Sequence, residues 1–274
     1  MKTPIDNKVV LPFLKWPGGK RWFVASHSQL LPSKYNRYIE PFLGGGSVFL
    51  HLKPKKAILS DLNSDLISTY MAIRDGWGKV NERLTSHHLK HDDNHYYSVR
   101  KSCPRLQLNK AARLIYLNRT CFNGIFRVNL NGKFNVPKGT KDAVVLETDN
   151  FESLAALLEN ADIRVSDFEL VIDEALGGDL VFADPPYTVR HNVNGFVKYN
   201  AQLFSWEDQL RLVDALARAR ERGVKIVSTN ANHKSVRKLY SSRGFSLKTI
   251  SRYSSISANP KSRKQFEELV IRAF

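Results

Sequence analysis

The stretch Asp179-Leu180-Val181-Phe182-Ala183-Asp184-Pro185-Pro186-Tyr187 decides both the fold class and the position of a candidate site. The short, mainly apolar run over 179–183 is typical of a β-strand, and it stops at a carboxylate that two prolines follow. Ligands of open α/β sheets bind at the carboxyl ends of the strands. We therefore expect Asp184 to Tyr187 to form part of a ligand site at a strand end.

Similar short apolar runs alternate with helical stretches on both sides of this segment, which is the pattern of an α/β fold. A glycine-rich loop, 44–46, follows the first predicted strand and precedes a helix that begins at Ser47. Ser205 is a predicted N-cap, with Asp208 three positions later and Gly223 just past the helix end. The predicted strands are 38–40, 57–60, 163–165, 179–183, 224–228, 245–250 and 268–273, and the predicted helices include 47–52, 151–160 and 205–222.

The tetrapeptide suits the activation of an aromatic amine, whose nitrogen lone pair is delocalised into the ring. The Asp184 carboxylate and the Pro185 carbonyl can both accept hydrogen bonds from an NH₂ group, which favours a pyramidal nitrogen with an available lone pair. Proline fixes φ, so these carbonyls are held in place before a ligand arrives. Tyr187 can stack on the ring. An ordinary turn is the alternative, but the residue order at a strand end favours a functional role.

Composition indicates the class of partner. The net charge of +16 and the pI of about 9.8 favour a polyanion, although ribosomes and anionic membranes would attract the same charge. Cys103 and Cys121 lack metal-ligand spacing, so two reduced thiols are expected. The N-terminus does not resemble a signal peptide and no apolar run reaches the length of a membrane span. These features predict a cytoplasmic protein that is not inserted in a membrane.

A long segment, residues 77–141, separates the second and third predicted strands. Residues 109–117 are helical in character, and 127–136 indicate a hairpin that turns on Asn131-Gly132, a favoured type I′ pair. Between 86 and 141 there are eleven basic residues and two acids, a net charge of +9, which favours contact with nucleic acid. A second basic stretch, 234–264, contains no acid, and we expect its part from Ser251 to Lys264 to order over phosphate.

Together these features resemble the Dam-type family of DNA adenine N6-methyltransferases (D12 class), from Phe13 to the C-terminus. The resemblance implies a Rossmann-like, S-adenosylmethionine-dependent methyltransferase sheet with an inserted, mainly helical target-recognition domain that contains a β-hairpin. It assigns 1–76 and 142–274 to the catalytic domain and 77–141 to target recognition. It also implies methyl transfer to a flipped adenine in double-stranded DNA without a metal ion. The implied catalytic residues are Asp184, Pro185 and Tyr187.

Two further motifs resemble the donor-binding parts of this family. Residues 13–20, Phe-Leu-Lys-Trp-Pro-Gly-Gly-Lys, match the N-terminal cofactor motif, and a Walker A loop is excluded because Arg21 follows the lysine. Residues 40–46 match the glycine-rich loop, and a carboxylate at 61 suits the ribose hydroxyls of the donor. A helix N-cap is a competing role for Asp167. The implied donor-binding residues are Trp16, Lys20, Glu40, Phe42, Gly44, Gly46, Asp61, Asp167, Phe168 and Asp184.

The segment from 117 to 137 resembles the target-recognition region of members that read GATC. An aromatic residue followed by asparagine wedges into the duplex in that family, while an arginine reads guanine through its O6 and N7 atoms. Phe122 lacks the tyrosine hydroxyl of some relatives, so a hydrogen bond from that group is not expected. Core packing is the expected role of Phe126. The implied DNA-binding residues are Lys15, Phe122, Asn123, Ile125, Arg127 and Pro137.

Other functions remain open from the sequence. Cytosine N4 and adenine in RNA are chemically related acceptors, and a non-catalytic DNA-binding regulator could keep the same fold. Asp184 favours adenine, and the retained cofactor motifs favour an enzyme. The histidines between 87 and 95 are interpreted as a solvated surface rather than a metal site. Double-stranded DNA is the expected partner, which places the protein at the nucleoid, and no protein partner is indicated.

Overall fold

The computed structural model describes residues 9–129, 132–188, 204–253 and 265–274. The chain divides into two compact units, the first formed by 1–24, 43–55 and 61–165, the second by 25–42, 56–60 and 166–274. The inserted segment 77–141 falls entirely within the first unit. Its assignment as a separate target-recognition domain stays a prediction.

A seven-stranded sheet confirms the predicted α/β fold class. The strands are β1 (Tyr38–Glu40), β2 (Ala57–Asp61), β3 (Ala161–Val165), β4 (Leu180–Ala183), β5 (Lys225–Ala231), β6 (Ser246–Tyr253) and β7 (Gln265–Ala273).

Six of these strands belong to the second unit, apart from the last residue of β2, and run in the order β2-β1-β4-β5-β7-β6. The pairs from β2 to β5 are parallel, whereas β7 lies antiparallel between β5 and β6. Because the chain leaves β1 towards β2 and later returns to β4, the topological switch point lies between β1 and β4. Ligand sites of doubly wound sheets form at such a point.

Three helices of the second unit can be placed: α7 (Phe168–Asp173), α8 (Trp206–Glu221) and α9 (Lys234–Ser242). The capping box predicted for α8 is present, since the Ser205 hydroxyl accepts from the Asp208 N–H and the Asp208 carboxylate accepts from the Ser205 N–H. Leu212 and Leu216 of α8 are fully buried against the strands. Burial of each such side chain contributes about 1.5–3 kcal/mol.

Helices form most of the first unit. Helix α3 (Ser64–Leu89) is interrupted at Gly76, which has non-helical backbone angles, and it packs along α5 (Gln107–Thr120). On α5 the buried Arg119 guanidinium makes two contacts of 2.6 Å with the Asp149 carboxylate. In the described ranges, the other α-helices before α7 are α1 (Arg21–His27), whose last three residues belong to the second unit, α2 (Ser47–Leu52), α4 (Asp93–Lys101) and α6 (Phe151–Leu158).

The predicted hairpin is supported by an antiparallel bridge between Val128 and Phe134 and by a 2.9 Å hydrogen bond from the Asn129 N–H to the Lys133 carbonyl. Asn131, half of the predicted turn pair, lies outside the described residues. Most of the predicted basic loop from 251 to 264 also lies outside them.

The structure corrects one interpretation in this unit. His91 is packed into the interior, with its side chain 4% exposed, and its ring nitrogens lie 2.8 Å from the Tyr116 hydroxyl and 3.2 Å from an Asp142 oxygen. His87 stacks on the ring of Tyr116. The prediction of a solvated histidine surface was therefore wrong for His87 and His91, because both rings pack against Tyr116. Across the described helices, no stretch is both long and apolar enough to cross a membrane.

Candidate active site

The register of two parallel strands fixes the position of Asp184. Ala183 of β4 pairs with Ser228 of β5, so the next residues along each strand, Asp184 and Thr229, lie side by side. The Thr229 hydroxyl, which is fully buried, donates to Oδ1 of Asp184 at 2.6 Å. The carboxylate therefore stands at the carboxyl end of β4, where the sequence predicts it, with its orientation fixed from the neighbouring strand.

Tyr187 is also held at its far end. Its hydroxyl donates to Oε2 of Glu268 at 2.7 Å, and Glu268 is almost completely buried in β7. Pro185, between the two functional side chains, is buried. The three predicted catalytic residues thus follow directly from β4, and two of them are hydrogen-bonded to side chains from β5 and β7.

Glu40 ends β1, the strand beside β4. Its side chain is buried and its Oε2 accepts from the Tyr38 hydroxyl at 2.8 Å. Burial, reinforced by the Glu40 carboxylate and by Asp184, raises the pKa of Tyr38 well above its ordinary value. The hydroxyl therefore stays protonated and keeps donating to Glu40, which fixes this carboxylate at the switch point between β1 and β4.

Asp167 and Phe168 occupy the start of α7. Oδ1 of Asp167 accepts from the Glu169 N–H at 2.9 Å, so the competing N-cap role is real, and it also accepts from the Arg211 guanidinium at 2.9 Å. That guanidinium lies over the Phe168 ring, 4.9 Å from its centroid. Phe168 is buried and stacks on Phe42 at 5.4 Å with an interplanar angle of 25°. A donor-binding role for these residues stays a prediction.

The glycine-rich loop belongs to the first unit. The Asp61 carboxylate accepts from the Gly44 N–H at 3.0 Å, and the Tyr70 hydroxyl donates to the Gly44 carbonyl at 3.1 Å. Gly44 and Gly46 both adopt left-handed angles, with φ of 47° and 63°. Burial raises the pKa of the Asp61 carboxyl, although the N–H groups of Asn63 and Gly44 act in the opposite direction. The predicted donor residues Gly44, Gly46 and Asp61 therefore form one connected turn.

Trp16 packs directly on this turn. A Cβ atom at Gly44 would come within 2.9 Å of Cδ1 of Trp16, so glycine is required for the approach of the indole. The other neighbour of the indole is Phe126, with ring centroids 5.5 Å apart and an interplanar angle of 27°. Lys20 is buried and its ammonium donates to the Gly18 carbonyl at 2.9 Å. Phe126 thus packs on Trp16, but it is only partly buried, so the prediction that it belongs to the core was wrong.

A second group of predicted residues meets around Asn118 of α5. The buried Asn118 amide accepts from the Lys15 N–H at 2.9 Å and donates to the carbonyls of Lys15 at 3.0 Å and Gly124 at 3.2 Å. Phe122, whose N–H donates to the Pro137 carbonyl at 2.9 Å, is 53% exposed. The structure thus brings Lys15, Phe122 and Pro137 into one connected region and leaves the Phe122 ring facing outward.

The remaining predicted DNA contacts lie along the same segment. Asn123 is exposed and has left-handed backbone angles, with φ of 56°, which asparagine tolerates better than most residues. Arg127 is exposed, and its Nε donates to Oδ1 of Asn135 across the hairpin at 3.0 Å. Ile125 is partly buried. Within the described ranges no group of His, Cys, Asp and Glu side chains is arranged to hold a metal ion.

Sequence reasoning missed the residues that hold these groups in place. Asn118 directly follows the mainly apolar helical run 114–117, which is a signal of a buried polar group. Thr229 lies just past the predicted strand 224–228 and Glu268 at the start of the predicted strand 268–273, so neither position indicated burial. Tyr70 and Arg211 carried no such signal, because a tyrosine or an arginine on a helix is ordinary. Their partners depend on contacts between elements distant in sequence.

Comparisons with known proteins identify the family of the chain. A family model described as D12 class N6 adenine-specific DNA methyltransferase matches residues 16–256. The chain is 35% identical to the Type II methyltransferase M1.LlaDCHI of Lactococcus lactis subsp. cremoris, with 97% of this chain and 96% of that one covered. It is 34% identical to the Type II methyltransferase M.MjaIII of Methanocaldococcus jannaschii (88% and 91% covered), and 30% identical to the DNA adenine methylase of Haemophilus influenzae (94% and 92% covered). As its motifs predict, the chain belongs to the D12 class of N6 adenine-specific DNA methyltransferases.

Proposed function

We propose that the protein transfers a methyl group from S-adenosylmethionine to N6 of an adenine that has been flipped out of duplex DNA, with GATC as the target. The observation that carries this proposal is the Asp184 carboxylate, held by Thr229 at the end of β4 and followed by an aromatic ring three residues later. Family membership supports both DNA as the substrate and adenine as the acceptor.

Asp184 and Pro185 act on the acceptor. The carboxylate and the proline carbonyl accept hydrogen bonds from the exocyclic NH₂ group, which localises the nitrogen lone pair for attack. Tyr187 stacks on the flipped base and offsets part of the flipping cost of a few kcal/mol. The proton released after methylation passes to solvent, so Asp184 orients the amine and stabilises its developing positive charge rather than acting as a strong base.

The residues of the glycine-rich turn fit a nucleoside sulfonium donor. S-adenosylmethionine supplies an electrophilic methyl group. The Asp61 carboxylate suits hydroxyl donors, and the Trp16 indole, for which Gly44 leaves room, offers an aromatic face to a cation. Gly44 and Gly46 are proposed to contact the donor through their backbone. Lys20 is proposed to pair with the donor carboxylate. In the second unit, Glu40, Phe42, Asp167 and Phe168 are proposed as further donor contacts.

The first unit supplies the proposed DNA contacts. The exposed Phe122 ring fits a wedge that enters the duplex, and the exposed Arg127 guanidinium fits a bidentate contact with guanine. Lys15, Asn123, Ile125 and Pro137 complete the proposed interface. The DNA adenine methylase of Haemophilus influenzae is a relative whose name agrees with this substrate.

The catalytic part of the proposal is tested with Asp184→Ala. We expect loss of tritium transfer from labelled S-adenosylmethionine to DNA, with duplex binding kept, because the proposed duplex contacts are made by other residues. Near-normal turnover in this variant would refute the assigned role.

The target is tested separately. A random-sequence plasmid is methylated with the wild-type protein and the modified bases are mapped. We expect N6-methyladenine within GATC. Methylated adenine in another sequence would overturn GATC alone, whereas methylated cytosine would overturn the choice of acceptor.

Arg127→Ala should relax discrimination at the guanine position by roughly 1–3 kcal/mol.

A further inference from the structure

Glu268 is an unusual residue for its position in the sheet. It lies in β7 opposite Ala231 of β5, and the three residues that follow it, Leu269, Val270 and Ile271, are fully buried and apolar. Only 2% of Glu268 is exposed. A carboxylate in such surroundings is costly unless hydrogen bonds compensate for lost hydration. The short bond from the Tyr187 hydroxyl is one such compensation.

The sheet geometry brings Glu268 and Thr229 to the same face. Residues directly opposite in an antiparallel pair point to the same side, and so do residues two apart in one strand. Glu268 is opposite Ala231, and Ala231 is two residues beyond Thr229, so both polar side chains lie beside the segment that follows β4. Thr229 contacts Asp184, at the start of the tetrapeptide, and Glu268 contacts Tyr187, at its end.

We propose that Glu268 is a positioning residue that acts through Tyr187, holding its ring in the plane on which the flipped adenine stacks. This inference rests on the proposed function. The backbone of Tyr187 is anchored by the preceding prolines, whose φ angles are fixed. A hydrogen bond at the hydroxyl fixes the opposite end of the ring, so rotation of the side chain is restricted before the base arrives. Such preorganisation lowers the cost of aligning the base for methyl transfer.

A double-mutant cycle separates positioning from a purely structural role. Glu268→Leu replaces the acceptor with an apolar side chain of similar size, while Tyr187→Phe removes only the donor. Removal of one hydrogen bond to a charged group should lower the single-turnover rate of each variant roughly 10- to 100-fold. The double variant should lose no more than the slower single variant, because either change breaks the same contact. Glu268→Gln, which keeps an acceptor, should recover most of the rate.

The neighbouring Glu267 provides a matched control. It is exposed on the opposite face of β7, and its Oε2 accepts from the Asn232 amide at 2.7 Å. Glu267→Leu should leave the methylation rate within about twofold of wild type. Thermal unfolding of every variant shows whether each is folded at the assay temperature.

The outcomes are distinct. Losses that multiply in the double variant, or a Glu268→Leu enzyme that is folded and has the wild-type rate, would overturn the positioning role. A failure of Glu268→Gln to recover the rate would do so as well. If the wild-type protein itself does not methylate adenine in DNA, the proposed function fails before the cycle is begun.

Discussion

The hydroxyl of Thr229, buried within β5, lies 2.6 Å from Oδ1 of Asp184 at the end of β4. A threonine in a strand is common, but here its side chain is hydrogen-bonded to the carboxylate that is proposed to hold the target amine. The bond limits rotation of the carboxylate about its last torsion angle. A carboxylate oriented before the base arrives needs less reorganisation when the amine becomes cationic.

Thr229→Val should therefore slow methyl transfer. Valine keeps the branched shape of threonine and removes the hydroxyl, so the carboxylate loses a charge-assisted hydrogen bond worth about 1.5–3 kcal/mol. We expect a roughly 10- to 100-fold lower single-turnover rate, with unchanged affinity for duplex DNA in a filter-binding or anisotropy assay. Thr229→Ser, which restores the hydroxyl, should recover most of the rate. A wild-type rate in the valine variant would show that the bond does not matter for catalysis.

Gly46→Ala should weaken donor binding. Gly46 has φ of 63°, and a Cβ atom there would lie 2.9 Å from the Tyr70 hydroxyl. Left-handed angles cost a non-glycine residue about 1–2 kcal/mol, and a clash with a buried side chain adds to this. The Tyr70 hydroxyl also holds the Gly44 carbonyl, so its displacement moves the whole turn. Calorimetry with S-adenosylmethionine should show lower affinity, and thermal unfolding should show lower stability.

Two controls accompany this prediction. Tyr70→Phe in the Gly46→Ala background removes the clashing atom and should recover part of the lost stability. Gly78→Ala tests glycine replacement without a clash, since nothing lies within 4 Å of a Cβ atom at that position. An alanine at 46 that binds the donor as tightly as wild type would contradict the role assigned to the turn.

The strands and the α8 capping box could be predicted because their signals are local. An apolar run bounded by turn residues predicts a strand, and a serine three residues before an aspartate predicts the start of a helix. The end of β5 was less predictable, since the strand predicted over 224–228 stops before the polar residues Thr229 and Asn230. The strand continues to Ala231 because β7 pairs with it and because the Asn230 amide donates to the Gln209 side chain at 2.9 Å. Such partners are distant in sequence.

The net charge predicted the class of partner, but it did not predict which basic side chains are free to contact that partner. Arg113 and Arg119 contribute to the net charge of the inserted segment, yet both guanidinium groups are hydrogen-bonded within the first unit. Arg113 donates to the carbonyls of Val99 and Arg100 at 2.9 and 2.8 Å, and Arg119 pairs with Asp149. A sequence cannot distinguish an arginine that binds backbone carbonyls from one that binds phosphate, because both roles require only a guanidinium.

The histidines packed against Tyr116 should make stability depend on pH. Burial, together with His95, Lys90 and Arg83, lowers the pKa of His87 to about 4 from an ordinary value of 6.5. Because the folded state disfavours the protonated ring, the contribution of His87 is complete above pH 6.5 and is lost as the pH falls towards 4. The free energy of unfolding should decrease across this window in urea titrations.

His87→Phe isolates this contribution. Phenylalanine keeps a ring against Tyr116, whose centroid lies 4.8 Å from that of His87, but it cannot bind a proton. The slope of unfolding free energy against pH should therefore be smaller in this variant. His88→Phe is the matched control, since His88 is exposed, and its slope should equal that of wild type. Equal slopes in all three proteins would rule out His87 as the titrating group.

Asn118→Ala should weaken DNA binding. The Asn118 amide holds the backbone of Lys15 at both its N–H and its carbonyl, and it also binds the Gly124 carbonyl beside the exposed Phe122. Alanine leaves these backbone groups without this partner, at a cost of about 1–3 kcal/mol for each buried group that finds no other. The two segments it joins, around Lys15 and Phe122, both carry proposed DNA contacts. Duplex affinity should fall together with the unfolding free energy.

Lys15→Ala separates the two effects of that change. Lys15 is exposed, so removal of its charged side chain should lower duplex affinity and the salt dependence of binding without lowering stability. If Asn118 acts by positioning the two segments, Asn118→Ala should lose more affinity than Lys15→Ala, because Phe122 is displaced as well. Equal losses would restrict the role of Asn118 to Lys15. Unchanged affinity in a folded Asn118→Ala protein would show that the two segments reach their DNA-binding conformation without it.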